Sequence, residues 1–292
     1  MAAETNVITT TEMKKAAREL DYAALFGESV AGLAEMLGVS RIIPAKAGTV
    51  LTKTIVTGEL EDGDVDEGDI IPLSQYEVDE EIIGQAKILK HRKATTAEAI
   101  QKSGFDDAVN KTDAKMVKDV QKKIRKAFID SLATGKGEAS GVGIQAALAD
   151  AWGQLQIAFE DDDVNTVYFI NPQDIAEYLK TAQITTQSNF GFKYIEDFLG
   201  LGTVIMTSQV EKGTFYATAS ENINILAINV NEAGGLGEAF DFSTDPETGF
   251  IGVHEKPDYD RLTSETIAAY GVYIFAEMDA GVIVGEIESN TP

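Results

Sequence analysis

His91 and His254 are the only histidines of this 292-residue chain, and it has no cysteine. The two histidines lie far apart and neither sits in an H-E-x-x-H pattern, so a histidine–zinc site or a Ser-His-Asp triad has no local motif behind it. Without thiols, disulfides and thiolate metal sites are excluded. Gly27-Glu28-Ser29-Val30-Ala31 approaches a nucleophile elbow but lacks the closing glycine and the preceding buried strand. It reads as a helix-breaking glycine among polar neighbours. Thr134-Gly135-Lys136-Gly137 carries a Gly-Lys pair with no glycine five positions before Gly135, so it makes no phosphate-binding loop. Gly234-Gly235-Leu236-Gly237 lacks the spacing of a dinucleotide fold.

Asp62-Gly63-Asp64-Val65-Asp66-Glu67-Gly68-Asp69 comes closest to a metal loop, because carboxylates at alternate positions can converge on one hard cation. Its sixth position is Glu67 where an EF-hand loop needs glycine, and its twelfth is Leu73 where that loop needs glutamate. The run reads as a solvated acidic turn, with calcium held between subunits as the alternative. Carboxylates number 48 in all, too many for any pair to single out acid–base chemistry. The residues capable of chemistry therefore point to no enzyme and imply no cofactor.

What the chain does have is a charge switch. Glu59 to Glu81 contains eleven acids and no Lys or Arg, whereas Lys87 to Lys126 contains twelve Lys and Arg against five acids, half of the chain's 24. Like charges crowded on one segment repel, so two adjacent opposite blocks suggest that each faces a complement, within the molecule or on a second copy. The candidates for contact between subunits are Glu59, Glu61, Asp62, Asp64, Asp66, Glu67 and Asp69 on the acidic side. On the basic side they are Lys111, Lys115, Lys118, Lys122, Arg125 and Lys126. The alternative is that both blocks are solvated faces. A net charge of −24 argues against tight nucleic-acid binding by the surface as a whole, since phosphate contacts need clustered cations; the basic stretch is the local exception.

Hydrophobic residues make up 44% of the chain, enough for a sizeable core. The N-terminus lacks the basic and apolar regions of a signal peptide, and no run approaches the ~18 apolar residues of a membrane span. A soluble protein made in a cytoplasm, with no membrane partner, is expected. Residues 1–48 read as an N-terminal arm: Glu12 to Leu25 has a helical pattern, Leu33, Met36 and Leu37 share helical spacing, and Gly38 is a stop. Helices this short need support from another subunit or from the main body. Thr49–Thr57 is rich in β-branched residues and Tyr76–Leu89 is a second β-rich run, which together predict an extended hairpin with the acidic segment at its tip. Such a hairpin needs a surface to rest on.

Met116, Val120, Ile124, Phe128 and Leu132 recur at i, i+4 and predict a helix over 106–134, roughly 43 Å long, with a break at 110–112 as a variant. Asp106 and Asp107 near its start and Lys122 to Lys126 in its later part suit the helix dipole. A helix from Ile144 to Phe159 follows, with Leu148, Trp152, Leu155 and Phe159 on one face. Then come a strand at Thr166–Ile170 and a helix to Lys180, with Asn171 as N-cap and Pro172 as its first residue. Further strands are predicted at Thr203–Ser208, Thr214–Ala219, Asn222–Asn229, Thr266–Ala276 and Gly281–Ile287. Hairpins and helices without repeated βαβ units make the class α+β.

Taken in order, these elements resemble the major capsid protein of tailed bacteriophages, the Hong Kong 97-type fold. The residues that carry the resemblance are Val167-Tyr168-Phe169-Ile170-Asn171-Pro172 with Leu179 downstream, a strand-Asn-Pro-helix signature. Gly202-Thr203-Val204-Ile205-Met206-Thr207 with Gly213, and Tyr270-Gly271-Val272 through Ala280-Gly281-Val282-Ile283-Val284, are similar to the family's later strands. The resemblance implies an N-terminal arm (1–48), an extended loop (49–93), and over 94–292 a peripheral domain, including a spine helix at about 106–134, interleaved with an axial domain. It implies hexamers and pentamers tiling an icosahedral shell around double-stranded DNA, located in the virion and assembled in the host cytoplasm. In that architecture the loop lies across a neighbour, which would set an acidic tip near a basic spine. With about 48 residues before the first strand, a separate scaffolding protein is the expected helper, alongside a portal protein and nonspecific proximity to packaged DNA. Some relatives crosslink through a loop lysine; Lys53 lies in the loop, but no partner is identified. Other readings are a bacterial nanocompartment shell of the same fold, an acidic α+β hydrolase and a monomeric binding module.

Overall fold

A computed structural model describes residues 10–39, 42–64, 70–159, 164–180, 186–189, 192–230, 236–244 and 249–288. Helix α1 (Thr10–Met36) precedes β1 (Ile42–Ala45), β2 (Val50–Glu59), β3 (Gln75–Gln85) and β4 (Leu89–Thr96). α2 (Ala97–Ser103) leads through a π-helical turn at Asp106–Asn110 into α3 (Lys111–Leu132). Next come β5 (Gly137–Val142), α4 (Ile144–Ala158), β6 (Thr166–Ile170), α5 (Pro172–Leu179), β7 (Gln187–Asn189), β8 (Phe192–Ile195), β9 (Thr203–Met206), β10 (Thr214–Ala219) and β11 (Ile223–Ile228). The last elements are α6 (Leu236–Phe240), β12 (Ser243–Thr244), β13 (Ile251–Asp258), β14 (Thr263–Tyr270), β15 (Val272–Ala276) and β16 (Val282–Glu288).

The described strands form a mixed seven-stranded sheet, β5-β16-β10-β6-β9-β8-β7, a four-stranded sheet, β12-β13-β14-β4, a three-stranded sheet, β1-β11-β15, and the two-stranded ribbon β2-β3. Every residue of β6 is buried. Side chains alternate across a strand, so Val167 and Phe169 enter a core shared with α1 and α3, while Tyr168 and Ile170 enter a second core under α4. α3 lays Val117, Val120, Ile124, Phe128 and Leu132 into the first core, and Phe128 meets Phe169 edge-on with centroids 5.3 Å apart. α1 adds Phe26, Val30 and Leu33, and the turn after it adds Leu37, to the same core. α4 covers the second core with Ile144, Leu148, Ala151 and Leu155.

The turn after β6 follows the sequence closely. Asn171 Oδ1 accepts from the Gln173 amide at 2.9 Å and caps α5, Pro172 opens the helix, and Asn171 Nδ2 donates to the Val210 carbonyl at 2.7 Å. Gly202 adopts φ +134°, and a Cβ there would strike the Thr166 carbonyl, so only glycine lets β9 approach β6 this closely.

Elsewhere tertiary packing overrides the local pattern. Thr10–Met36 is one helix running through Gly27 and Gly32, not two short ones, because burial against the main body offsets the ~1 kcal/mol each glycine costs a helix. The helix expected over 106–134 is a π-turn, with the Lys111 amide bonding back to the Asp106 carbonyl, followed by an α-helix of 22 residues, about 33 Å. Tyr76–Leu89 is not one strand. β3 ends at Gln85, and β4 leaves the ribbon to pair along its length with β14, so Lys90, Arg92 and Lys93 belong to the main body. Thr266–Ala276 divides at Gly271 into β14 and β15, which lie in different sheets. Trp152 is 40% exposed, since Ala151 occupies the inward position instead. Among the described residues no helix is long and apolar enough to cross a membrane.

Phe128 is 2% exposed, and Phe128→Ala is expected to cost about 3–5 kcal/mol. Asn171→Ala, which removes a cap and the bond to Val210, is expected to cost about 1–2 kcal/mol. Urea unfolding of both variants against the parent checks the order and the size of the losses.

Candidate assembly surfaces

The ribbon is the first candidate surface. β2 and β3 pair antiparallel from Val50↔Gln85 to Glu59↔Gln75, with one irregularity at Leu51/Thr52, and neither pairs with another described strand. Tyr76, Val78 and Ile82 stand exposed along it, and Leu60, Ile70, Ile71 and Leu73 around its tip, Ile70 and Leu73 each at 92%. Glu59, Glu61, Asp62 and Asp64 are exposed on the same tip. The Glu61 amide donates to Ser74 Oγ and the Asp64 amide to Asp62 Oδ1, each at 3.0 Å, which shapes the turn locally. Asp66, Glu67 and Asp69 lie outside the described residues. Among those described, no three His, Cys, Asp or Glu side chains group as metal ligands would.

The second surface is the outward ridge of α3, where the six sequence candidates differ in their surroundings. Lys111 bonds Asp107, Lys115 bonds Asp119, and Lys126 reaches Asp130 at 2.8 Å, each pair four residues apart. Lys118 and Lys122 are exposed and form no ion pair with any described residue. Arg125, expected on the open face, is half-buried, and burial holds its guanidinium below the ordinary arginine value, though still charged.

The side of α3 facing β4 carries charges that sequence reasoning did not single out. Lys93 Nζ reaches the buried Asp113 at 2.5 Å, the Thr112 hydroxyl at 2.6 Å and the Val109 carbonyl at 3.1 Å, tying the start of α3 to β4. Across the sheet Arg92 bonds Glu265, and Lys256 stands 3.6 Å from it. The Arg92 hydrogen bond holds the Glu265 carboxyl below the ordinary range. Between β4 and α3 runs a groove of about 330 Å³ lined by His91, Arg92, Lys93, Lys115, Asp119 and Lys123. No local pattern joins the β4 residues to those of α3; the pairing of β4 with β14 and the seating of α3 on that sheet do. The other histidine, His254, stands on β13 opposite Ile267 of β14.

No protein-family model matches the chain, and a search of curated proteins finds no match. Solved structures do match. A solved structure from Gordonia phage Cozz superposes with a TM-score of 0.55 at 11% identity, covering 88% of this chain and 86% of that one. The capsid of a native GTA particle gives 0.54 at 13% identity, over 89% of this chain and 90% of that one. The chain has the Hong Kong 97-type capsid fold. The holo-SrpI encapsulin complex from Synechococcus elongatus shares it, with a TM-score of 0.52 at 12% identity, over 88% of this chain and 90% of that one. At these identities the likeness is one of fold.

One pH dependence follows from the groove. Burial first, and then Lys123, lower the pKa of His91 below 6.5. The unfolded chain therefore takes up this proton before the native state does, so stability is full above about 6.5 and falls as the pH drops below it. His91→Gln is expected to flatten that fall between about pH 7.5 and 5.5, as read from urea midpoints.

Proposed function

We propose that this chain is the major capsid protein of a tailed, double-stranded DNA phage, forming hexamers and pentamers of an icosahedral shell. One observation carries the reading. The β2–β3 ribbon holds exposed apolar residues on a two-stranded element with no core of its own, and such a ribbon is marginal in water until something covers it. In a shell the cover is the neighbouring subunit. The ribbon is then the extended loop and α3 the spine. The four-stranded sheet with α1 and α3 makes the peripheral domain, and the seven-stranded sheet with α4 and α5 the axial domain. A separate scaffolding protein and a portal protein complete assembly in the host cytoplasm.

The acids Glu59, Glu61, Asp62 and Asp64, with Asp66, Glu67 and Asp69 extending the run in sequence, meet the α3 ridge of the adjacent copy. Lys118 and Lys122 are the strongest attractors, because neither forms a close ion pair with a described residue, although Lys122 also acts on Asp119 one turn earlier. An exposed pair contributes only ~0–1 kcal/mol, so the effect comes from repetition around the shell, and it sets register more than affinity. The encapsulin likeness supports a second reading, a bacterial nanocompartment shell.

Electron microscopy of the purified chain tests the assembly: capsomers, sheets or closed shells are expected, and a lasting 31.4 kDa monomer at high concentration would sink it. Particles from the native source distinguish the two shells, packaged double-stranded DNA marking the phage head and a co-purifying enzyme the nanocompartment. The triple variant Lys118→Glu, Lys122→Glu, Lys126→Glu is expected to keep its melting temperature within a few degrees yet assemble poorly. Normal shells from it would remove the loop–spine contact.

A further inference from the structure

The inward side of α4 closes the second core with Ile144, Leu148, Ala151 and Leu155. On its other side a surface helix ordinarily turns charged residues to water, and a helix apolar all round is ordinarily buried all round. α4 does neither. Its 15 residues include one ionisable group, Asp150, whose carboxylate accepts from the Ser140 amide of β5 at 3.1 Å. Its outward side carries Trp152 and Ile157, the latter 71% exposed, with Ala149 and Gly153 between them. We propose that this face of α4 docks on a second copy of the chain.

Gly153 is the first support. Glycine weakens a helix interior, because it loses the most backbone freedom on folding. Packing within the chain does not account for it: a Cβ at position 153 would meet no atom within 4 Å, whereas one at Gly202 would strike the Thr166 carbonyl. The bare backbone therefore serves an approach from outside. At roughly 100° per residue, Trp152 and Ile157 stand about 140° apart around the helix, with Ala149 and Gly153 in the arc between. A partner element can come down to the helix backbone there, held between the indole and the isoleucine.

Charge selects the occupant. Each copy carries −24, so two copies repel as they approach. The outward face of α4 admits a close approach without bringing like charges together, since its one carboxylate is already engaged with β5. An aromatic side chain in surroundings poor in charge is the composition of an interface core. A partner recognised by charge would find no counter-charge on this helix, which leaves a partner matched by shape and apolar contact. Naming that partner as a second copy rests on the shell reading. The contact differs in kind from the one between ribbon and α3: salt screens the repulsion between copies and strengthens an apolar contact, whereas it weakens ion pairs.

Trp152 is the only tryptophan of the chain, so intrinsic fluorescence of the full-length protein reads this face alone. The experiment follows acrylamide quenching across a dilution series, with particle size read by light scattering on the same samples. As copies associate, quenching is expected to fall several-fold and the emission to move to shorter wavelength. Gly153→Ala is expected to raise the melting temperature of the unassembled chain slightly, since alanine favours a helix and its methyl meets nothing inside, and yet to weaken association several-fold. Ile157→Glu is expected to weaken association by about tenfold with little change in melting temperature. Assembly that leaves Trp152 as quenchable as in the dilute chain, or that proceeds in both variants as in the parent, overturns the α4 contact and leaves the shell reading standing. A parent chain that stays monomeric at every concentration overturns both. Phosphatidylcholine vesicles that shield Trp152 where protein concentration does not assign the face to a membrane surface and overturn the second copy.

Discussion

Strand β6 has no solvent-facing side, and most of the chain is arranged to cover it. Alternating side chains send Val167 and Phe169 one way and Tyr168 and Ile170 the other, so a single five-residue strand requires two separate covers. α1 and α3 supply one and α4 the other. The Tyr168 hydroxyl, buried in the second core, reaches the Leu148 carbonyl at 3.3 Å. Burial pushes its pKa well up, so it stays protonated and donates. At the end of the strand Asn171 caps α5, and beside its start Gly202 lets β9 in. Segment 166–172 thereby positions the helix that carries the cationic ridge and the sheet that backs it.

Charge is divided by the same construction. Charges that the fold needs are matched inside it: Lys93 with Asp113 at the root of α3, and Arg92 and Lys256 with Glu265 on the sheet. Asp113 is 1% exposed, and breaking such a buried pair from one side costs far more than forming a surface pair gains. The root of α3 is therefore held firmly. Charges that the fold does not need are left facing outward, as an acidic ribbon and a cationic helix.

Much of this was legible from local chemistry. The α3 stripe, the Thr166–Ile170 strand and the Asn171–Pro172 start of α5 depend on neighbours within four residues, and periodicity and capping report those neighbours directly. The pairs that Lys111, Lys115 and Lys126 form with Asp107, Asp119 and Asp130 are equally local, yet a count of charges alone set those three lysines among the outward contacts. The exit of β4 from the ribbon was not, since Tyr76–Leu89 has strand propensity throughout and only the distant β14 decides where one strand ends. Nor was the unity of α1 across two glycines, which depends on a core contributed by residues a hundred or more positions away.

By itself the sequence determined the α+β class, the order of elements, the opposed charge blocks and the lack of a catalytic motif, because composition and short-range periodicity encode all of these. Only the tertiary structure decided which cations are matched, which are half-buried and which meet across a groove. Those outcomes depend on long-range strand pairing and on the seating of α3, where energy comes from surfaces far apart in the chain. The charge switch that stands out in the sequence is accordingly two things in space. The described part of its acidic half lies on a ribbon that pairs with no other described strand, while most of its basic half is divided between a strand of the main body and the helix packed upon it.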